Sequence, residues 1–172
     1  MSTTSEEEFE EILKPILENT EVQKMNDYIQ HCDVSCFDHC KDVAYYTYII
    51  CKKLKLDYKS ATRAAMLHDF FLYDWRVKSR SRSNMHGFVH PRVALENASK
   101  YFDLNKKEKD VILKHMWPLT VVPPKYLESF IITLTDKYST LIESYKFYRK
   151  RPAFQRVYSN FIIFLAILFL KS

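Results

Sequence analysis

A chain of 172 residues is long enough for one domain with a buried core and too short for two comfortable ones. Its single glycine, Gly87, excludes a glycine-rich phosphate loop and leaves little room for hairpins, because both depend on positive φ. A net charge of +5, gathered partly in "RVKSRSR" (76–82) and "KFYRKR" (146–151), favours anionic ligands but lacks the strong basic stripe of a genomic DNA binder.

In chain order the segments read as helices. "SEEEFEEILKPILENT" carries Phe9, Ile12, Leu13, Ile16 and Leu17 at helical spacing, with Pro15 placed to bend or divide it. "EVQKMNDYIQ" repeats the period through Val22, Met25, Tyr28 and Ile29. The next helix is expected to start near Ser35, capped by its hydroxyl, with Asp38 in the first turn. Its inner face runs through Cys36, His39 or Cys40, Val43, Tyr46 or Thr47, Ile50 and Leu54. "DYKSATRAAMLHDFF" reads as a helix capped from Asp57 or Ser60, and residues 74–89 as a loop. Pro91 suits the first turn of a helix over 91–102. Asn105 with Glu108 forms a capping-box pattern for a helix reaching His115. Pro124 is expected to open a long helix through Asp136 towards Tyr148, and a last helix follows Pro152. This gives an all-α bundle of seven or eight helices with no convincing strand. The whole chain reads as one domain, with a core over about 21–148, an N-terminal helix over 1–20, and a basic then apolar helix over 149–172.

The apolar run "FIIFLAILFL" (161–170) falls short of the roughly 20 residues that span a bilayer. It is expected to be buried or covered by a partner. The basic run before it leaves contact with an anionic membrane surface as the alternative. The acidic, polar start is no secretory signal, and four cysteines crowded into 32–51 suit reduced thiols, so a cytoplasmic protein is expected.

"HCDVSCFDHC" (31–40) looks like a metal knot. On a helix, however, Cys32 and Cys40 stand ~12 Å apart along the axis, too far to share one ion through Zn–S bonds of about 2.3 Å. The cysteines, Cys51 included, therefore read as small core residues. The histidines and aspartates carry more information. His68 and Asp69 interrupt "AAMLHDFF", where an unpaired charge is costly. His39 falls on an apolar helix face, His90 precedes Pro91, His115 ends "ILKHMW", and Asp136 interrupts "FIITLTDKYST". Each alone is more often a satisfied core histidine or a solvated aspartate. Together they run His, His-Asp, His, His, Asp at intervals of 29, 22, 25 and 21 residues. Imidazole and carboxylate together suit iron, manganese or zinc.

That order and spacing resemble the HD-domain superfamily of metal-dependent phosphohydrolases, over about Gln30 to Ser144, and the chain is similar to its small single-domain bacterial members. The resemblance implies one or two divalent ions (Fe, Mn or Zn). It places His39, His68, Asp69 and Asp136 on one metal. His90, His115 and a bridging Asp69 would hold the other, which makes Asp69 the catalytic carboxylate. His86, four residues before His90, is a rival for the third histidine. The interval to His115 favours His90, leaving His86 as a supporting or substrate-facing residue. Leu72 stands where cyclic-dinucleotide phosphodiesterases of the superfamily carry a lysine, and their Gly-Tyr-Pro signature is absent, which argues against that activity.

The expected reaction is hydrolysis of a phosphate ester or anhydride in a nucleotide or other small phosphorylated metabolite, by a hydroxide on the metals. The alternatives are an HD-type diiron oxygenase, or a non-catalytic metal-binding interaction module. Arg76, Lys78, Arg80, His86 and Lys137 are candidates for holding substrate, and His31 and Arg63 for supporting the ligands, with Arg63 equally placed to serve as a structural ion-pair partner. The partner expected is a small phosphorylated molecule, not genomic DNA, and a homo-oligomer remains open.

Overall fold

The computed structural model describes residues 3–77, 86–152 and 155–156. Among them are seven α-helices, one 3-10 turn and a two-stranded sheet. The fold is the helical bundle expected, with a small sheet that was not.

Helix α1 (Thr3–Leu17) runs unbroken through Pro15 and buries Phe9, Leu13 and Ile16 in the common core. Glu8 fixes it to the bundle by accepting hydrogen bonds from Tyr48 (2.8 Å) and Tyr58 (2.7 Å) and pairing with Lys52.

The helix expected over 21–30 ends early. Helix α2 (Thr20–Gln23) passes into a 3-10 turn (Lys24–Asp27), with Val22 and Met25 buried. From Tyr28 the backbone is extended. Strand β1 (Ile29–His31) pairs antiparallel with β2 (Val34–Ser35) through a two-residue turn, where Cys32 sits at φ 53°. Pairing across the hairpin overrides the local helical period and turns Gln30 inward, 6% exposed.

Helix α3 (Cys36–Lys53) starts where its cap predicts: the Ser35 hydroxyl accepts from the Asp38 amide at 3.0 Å. Its buried face is Cys36, His39, Cys40, Val43, Ala44, Thr47, Tyr48 and Cys51, while Ile50 and Leu54, expected inside, are exposed. Helix α4 (Tyr58–Leu67), capped by Asp57, is central. Its buried alanines at 61, 64 and 65 let neighbouring helices approach closely.

Helix α5 (His86–Tyr101) begins a turn earlier than expected, so Pro91 lies inside it. The missing Pro91 N–H forfeits one bond to the Gly87 carbonyl. Ring contacts made by the added turn, His86 on Trp75 and His90 on His115, offset that loss. Gly87 itself is required by close packing, since a Cβ there would meet Leu119 Cδ2 at 2.9 Å.

Helix α6 (Lys106–Lys114) carries the expected capping box. Asn105 accepts from the amides of Lys107 and Glu108, and Glu108 accepts in return from the Asn105 amide. Asn105→Ala should cost about 1 kcal/mol, a fall in melting temperature of about 2–4 °C at this chain length. A thermal melt that does not move would show the box to be dispensable.

Helix α7 (Leu127–Tyr148) starts three residues after the expected Pro124. The Lys125 amide is drawn instead to the Asp110 carboxylate (2.9 Å), which also accepts from Ser129. Most of the helix expected after Pro152, including the apolar 161–170 run, lies outside the described residues. No helix among the described residues is long and apolar enough to cross a membrane.

Candidate metal centre

The six residues singled out by spacing meet at one pole of the bundle. Helix α3 brings His39 near its start, and α5 brings His90 from its second turn. Helices α4 and α6 end there, and α7 contributes Asp136 from its middle. The pair His68-Asp69 is not inside a helix, as its apolar neighbours suggested. His68 is the C-cap of α4, and His115 is likewise the C-cap of α6. Both use one device: Nδ1 donates back to a last-turn carbonyl, Ala65 for His68 (2.7 Å) and Ile112 for His115 (2.8 Å). The chain leaves the helix at this point, so the next residue, Asp69, turns towards the same centre while remaining buried.

These contacts set the tautomers. A carbonyl oxygen only accepts, so Nδ1 of His68, His115 and His90 (to His86 O, 2.9 Å) must carry the proton. The Nδ1 of His39 is held by the Glu143 carboxylate at 2.9 Å. All four rings therefore aim Nε2 inward. His39 Nε2 lies 3.2 Å from Asp136 Oδ1, and His68 Nε2 is 3.8 Å from that same oxygen. Asp69 spans the cluster. Its Oδ2 is 3.4 Å from His68 Nε2, and its Oδ1 is 3.1 Å from His90 Nε2 and 3.4 Å from His115 Nε2. His90 and His115 face each other, Nε2 to Nε2, at 2.8 Å.

Imidazole lone pairs and carboxylates facing one another in a buried space repel unless protons or cations lie between them. His68 Nε2 and Asp69 Oδ1 are buried without an aligned hydrogen-bond partner. Metal–ligand bonds of about 2.0–2.2 Å leave neighbouring ligand atoms ~3.0–3.5 Å apart, which matches most of this spacing. Two groups close to ion size, His39/His68/Asp136 and His68/Asp69/His115, each with ligand atoms within 4.8 Å of one another. His68 is common to both groups, whereas the expected assignment shared only Asp69. The Asp69 carboxylate nonetheless reaches histidines on both sides. The donor set therefore fits a divalent ion.

The electrostatics agree. Burial opposes charge on His39, yet Asp136 and Glu143 raise its pKa well above the ordinary imidazole value. Burial is likewise outweighed at His68, chiefly by Asp69. Asp69 and Asp136 resist the upward push of burial and are held well below the carboxylate range by the histidines around them. His115 is pushed down, mainly by burial. Both shifts favour the protonated form of His39 and His68 beside the carboxylates that face them.

The remaining candidates are placed as follows. His31, half-buried, sets its ring edge against His39 at 5.2 Å, and burial lowers its pKa. His86 stacks between Trp75 (5.3 Å) and His90 (4.6 Å) and supports His90 rather than replacing it. Lys137 reaches back to the carbonyls of His115 (3.4 Å) and Thr133 (3.2 Å). Arg76 is taken up by Asp74 through both carboxylate oxygens, each at 3.0 Å. Arg63 does not support the centre, because its Nε pairs with Glu108 of the capping box at 2.7 Å. Lys78 and Arg80 lie outside the described residues. Three of the cysteines are buried as expected, and Cys36 donates to the Asp69 carbonyl at 3.1 Å.

Two supporting residues were missed. Gln30 donates from Nε2 to Asp69 Oδ2, and its Oε1 is buried without a partner. Nothing local announces it, since its position depends on the hairpin. Glu143 was legible: Asp136, Ser139 and Glu143 follow at intervals of three and four, a buried polar stripe along one helix face. Glu143→Ala should weaken metal affinity by about 10–100-fold, measured by titration against a competing chelator. Parent-like affinity would show that Glu143 does not orient His39.

A cavity of ≈ 450 Å³ opens onto this centre. Asp69, His90 and Asp136 reach it from the His/Asp cluster, with Lys137, Trp75 and Leu141 around them. Comparison with known families gives one result: the model of the HD domain matches residues 36–141, more than half of the chain, and takes in all six clustered residues. No curated protein and no solved structure matches.

Proposed function

The chain belongs to the HD-domain family, whose members are typically metal-dependent hydrolases, and from that premise we propose that it hydrolyses a phosphate ester or anhydride of a small metabolite at the His/Asp centre. The observation that carries this reading is the inward convergence of four Nε2 atoms on two carboxylates at the foot of an open cavity. His39, His68 and Asp136 would hold one divalent ion, and Asp69 with His90 and His115 a second. When bound, such ions supply Lewis acidity towards a phosphoryl oxygen and lower the pKa of a water.

The protein's own groups do the rest. The backbone carbonyls of Ala65, His86 and Ile112 keep three imidazoles in the Nδ1–H tautomer, so that Nε2 is available at any pH where the ring is neutral. Glu143 does the same for His39. Gln30 steadies Asp69 from the hairpin side. Lys137 supplies positive charge beside Asp136, where an anionic phosphoryl group would enter. No protein nucleophile is required.

The test is metal analysis of the purified protein. A phosphatase screen over nucleotides, dinucleotides and phosphorylated metabolites follows, with manganese, iron and zinc. Turnover that depends on added metal is the expected result. A metal-loaded protein that hydrolyses none of these, and instead consumes dioxygen, would replace this reading with the oxygenase.

A further inference from the structure

Resting on the hydrolase reading, we propose that the cavity holds two subsites of opposite chemistry: Lys137 grips the phosphoryl group, and Trp75 carries a planar or apolar alcohol. The substrate class is then a phosphomonoester of such an alcohol.

Lys137 follows Asp136 on α7, and its ammonium is anchored by two backbone carbonyls, His115 O at 3.4 Å and Thr133 O at 3.2 Å. Neither neutralises it, and among the described residues it forms no ion pair with a carboxylate. An ammonium carries three N–H groups, so one remains for an anion at the metal end of the cavity. Another part of the lining is different. Trp75, 38% exposed, lies nearly parallel to His86 (15°), which lies nearly parallel to His90 (24°). This ladder of flat rings runs from His90 of the centre out to the partly exposed Trp75. Met116 and Leu141 extend the apolar wall. The nearest described guanidinium in sequence, Arg76, is committed to Asp74. Beside Trp75 the described lining is aromatic and apolar. A planar or apolar body there gains stacking and burial.

The test uses the full chain loaded with manganese. Phenylphosphonate and methylphosphonate are titrated by calorimetry, since neither C–P bond is hydrolysed. The parent should bind phenylphosphonate about tenfold more tightly than methylphosphonate. Trp75→Ala should abolish that preference, costing phenylphosphonate far more affinity than methylphosphonate, and Trp75→Phe should retain most of it. Lys137→Met should weaken both ligands by about tenfold or more, and Lys137→Arg should recover part of the loss. Melting curves establish that each variant is folded. Equal affinity for the two phosphonates, no binding of either, or parent-like binding by Lys137→Met would overturn the proposal. The two readings also fail separately. Phosphonates that follow this pattern without turnover of any ester would sink the hydrolase reading and keep the subsites. Metal-dependent turnover with no preference for the alcohol would do the reverse.

Discussion

Asp69→Asn should lower turnover by about a thousandfold or more while leaving a folded protein. Asp69 is the one carboxylate that reaches His68 on one side and His90 and His115 on the other. Under the proposed function, its charge would be shared by cations held on either side. Metal-ion catalysis supplies several kcal/mol of transition-state stabilisation, and each 1.36 kcal/mol is a factor of ten in rate. Asparagine keeps the volume and one carbonyl oxygen. Its backbone carbonyl still accepts from Cys36, so the turn after α4 has little reason to unfold. Rates with the best substrate from the screen, together with metal content per chain, decide the matter. A variant with parent-like turnover would remove Asp69 from the chemistry. One that loses turnover yet binds a full complement of metal would leave it catalytic but not essential for holding the ions.

Much of this centre could be read in the sequence, because most of its ligands are odd residues in apolar surroundings. His39, His68, Asp69, His115 and Asp136 each break a hydrophobic helical pattern, and a costly group in such a place needs a partner. The helix caps at Ser35, Asp57 and Asn105 were equally legible, since a cap is a local bargain between one side chain and amides two or three residues on. Readings failed where distant contacts outweighed local ones. Tyr28 and Ile29 keep a helical period, yet the hairpin takes them. Residues 86–89 read as loop, yet stacking of His86 on Trp75 and His90 draws them into α5. The start of α7 was displaced by a carboxylate fifteen residues back, at Asp110. Gln30 was invisible for the same reason. Arg63, on the helix that ends at His68, was open to either support of the site or a structural ion pair, and its geometry serves the pair, with Glu108 of a helix cap.

Removing bound metal should destabilise the protein, and more so as pH rises. A ligand present at a thousand times its dissociation constant adds about 4 kcal/mol to the folded state, or about 8–16 °C in melting temperature for a domain of this size. The pH dependence follows from the stripped cage. His39 and His68 have folded pKa values raised well above 6.5, against the pull of burial, because Asp69, Asp136 and Glu143 face them. A group with a raised folded pKa contributes its full stability below its unfolded value and loses it as pH climbs towards the folded value. The stripped protein should therefore weaken from about pH 6.5 upward, as protons leave and bare lone pairs confront two carboxylates. Asp69 and Asp136, with depressed pKa values, act in the opposite sense, but only in acid below the ordinary carboxylate range. In the loaded protein a cation occupies the place of those protons, and alkaline pH strengthens its binding by clearing competitors from the imidazoles. The gap between loaded and chelator-stripped melting temperatures should accordingly widen between pH 6 and pH 9. A gap that stays constant, or narrows, would mean that protons on His39 and His68 do not substitute for the ion.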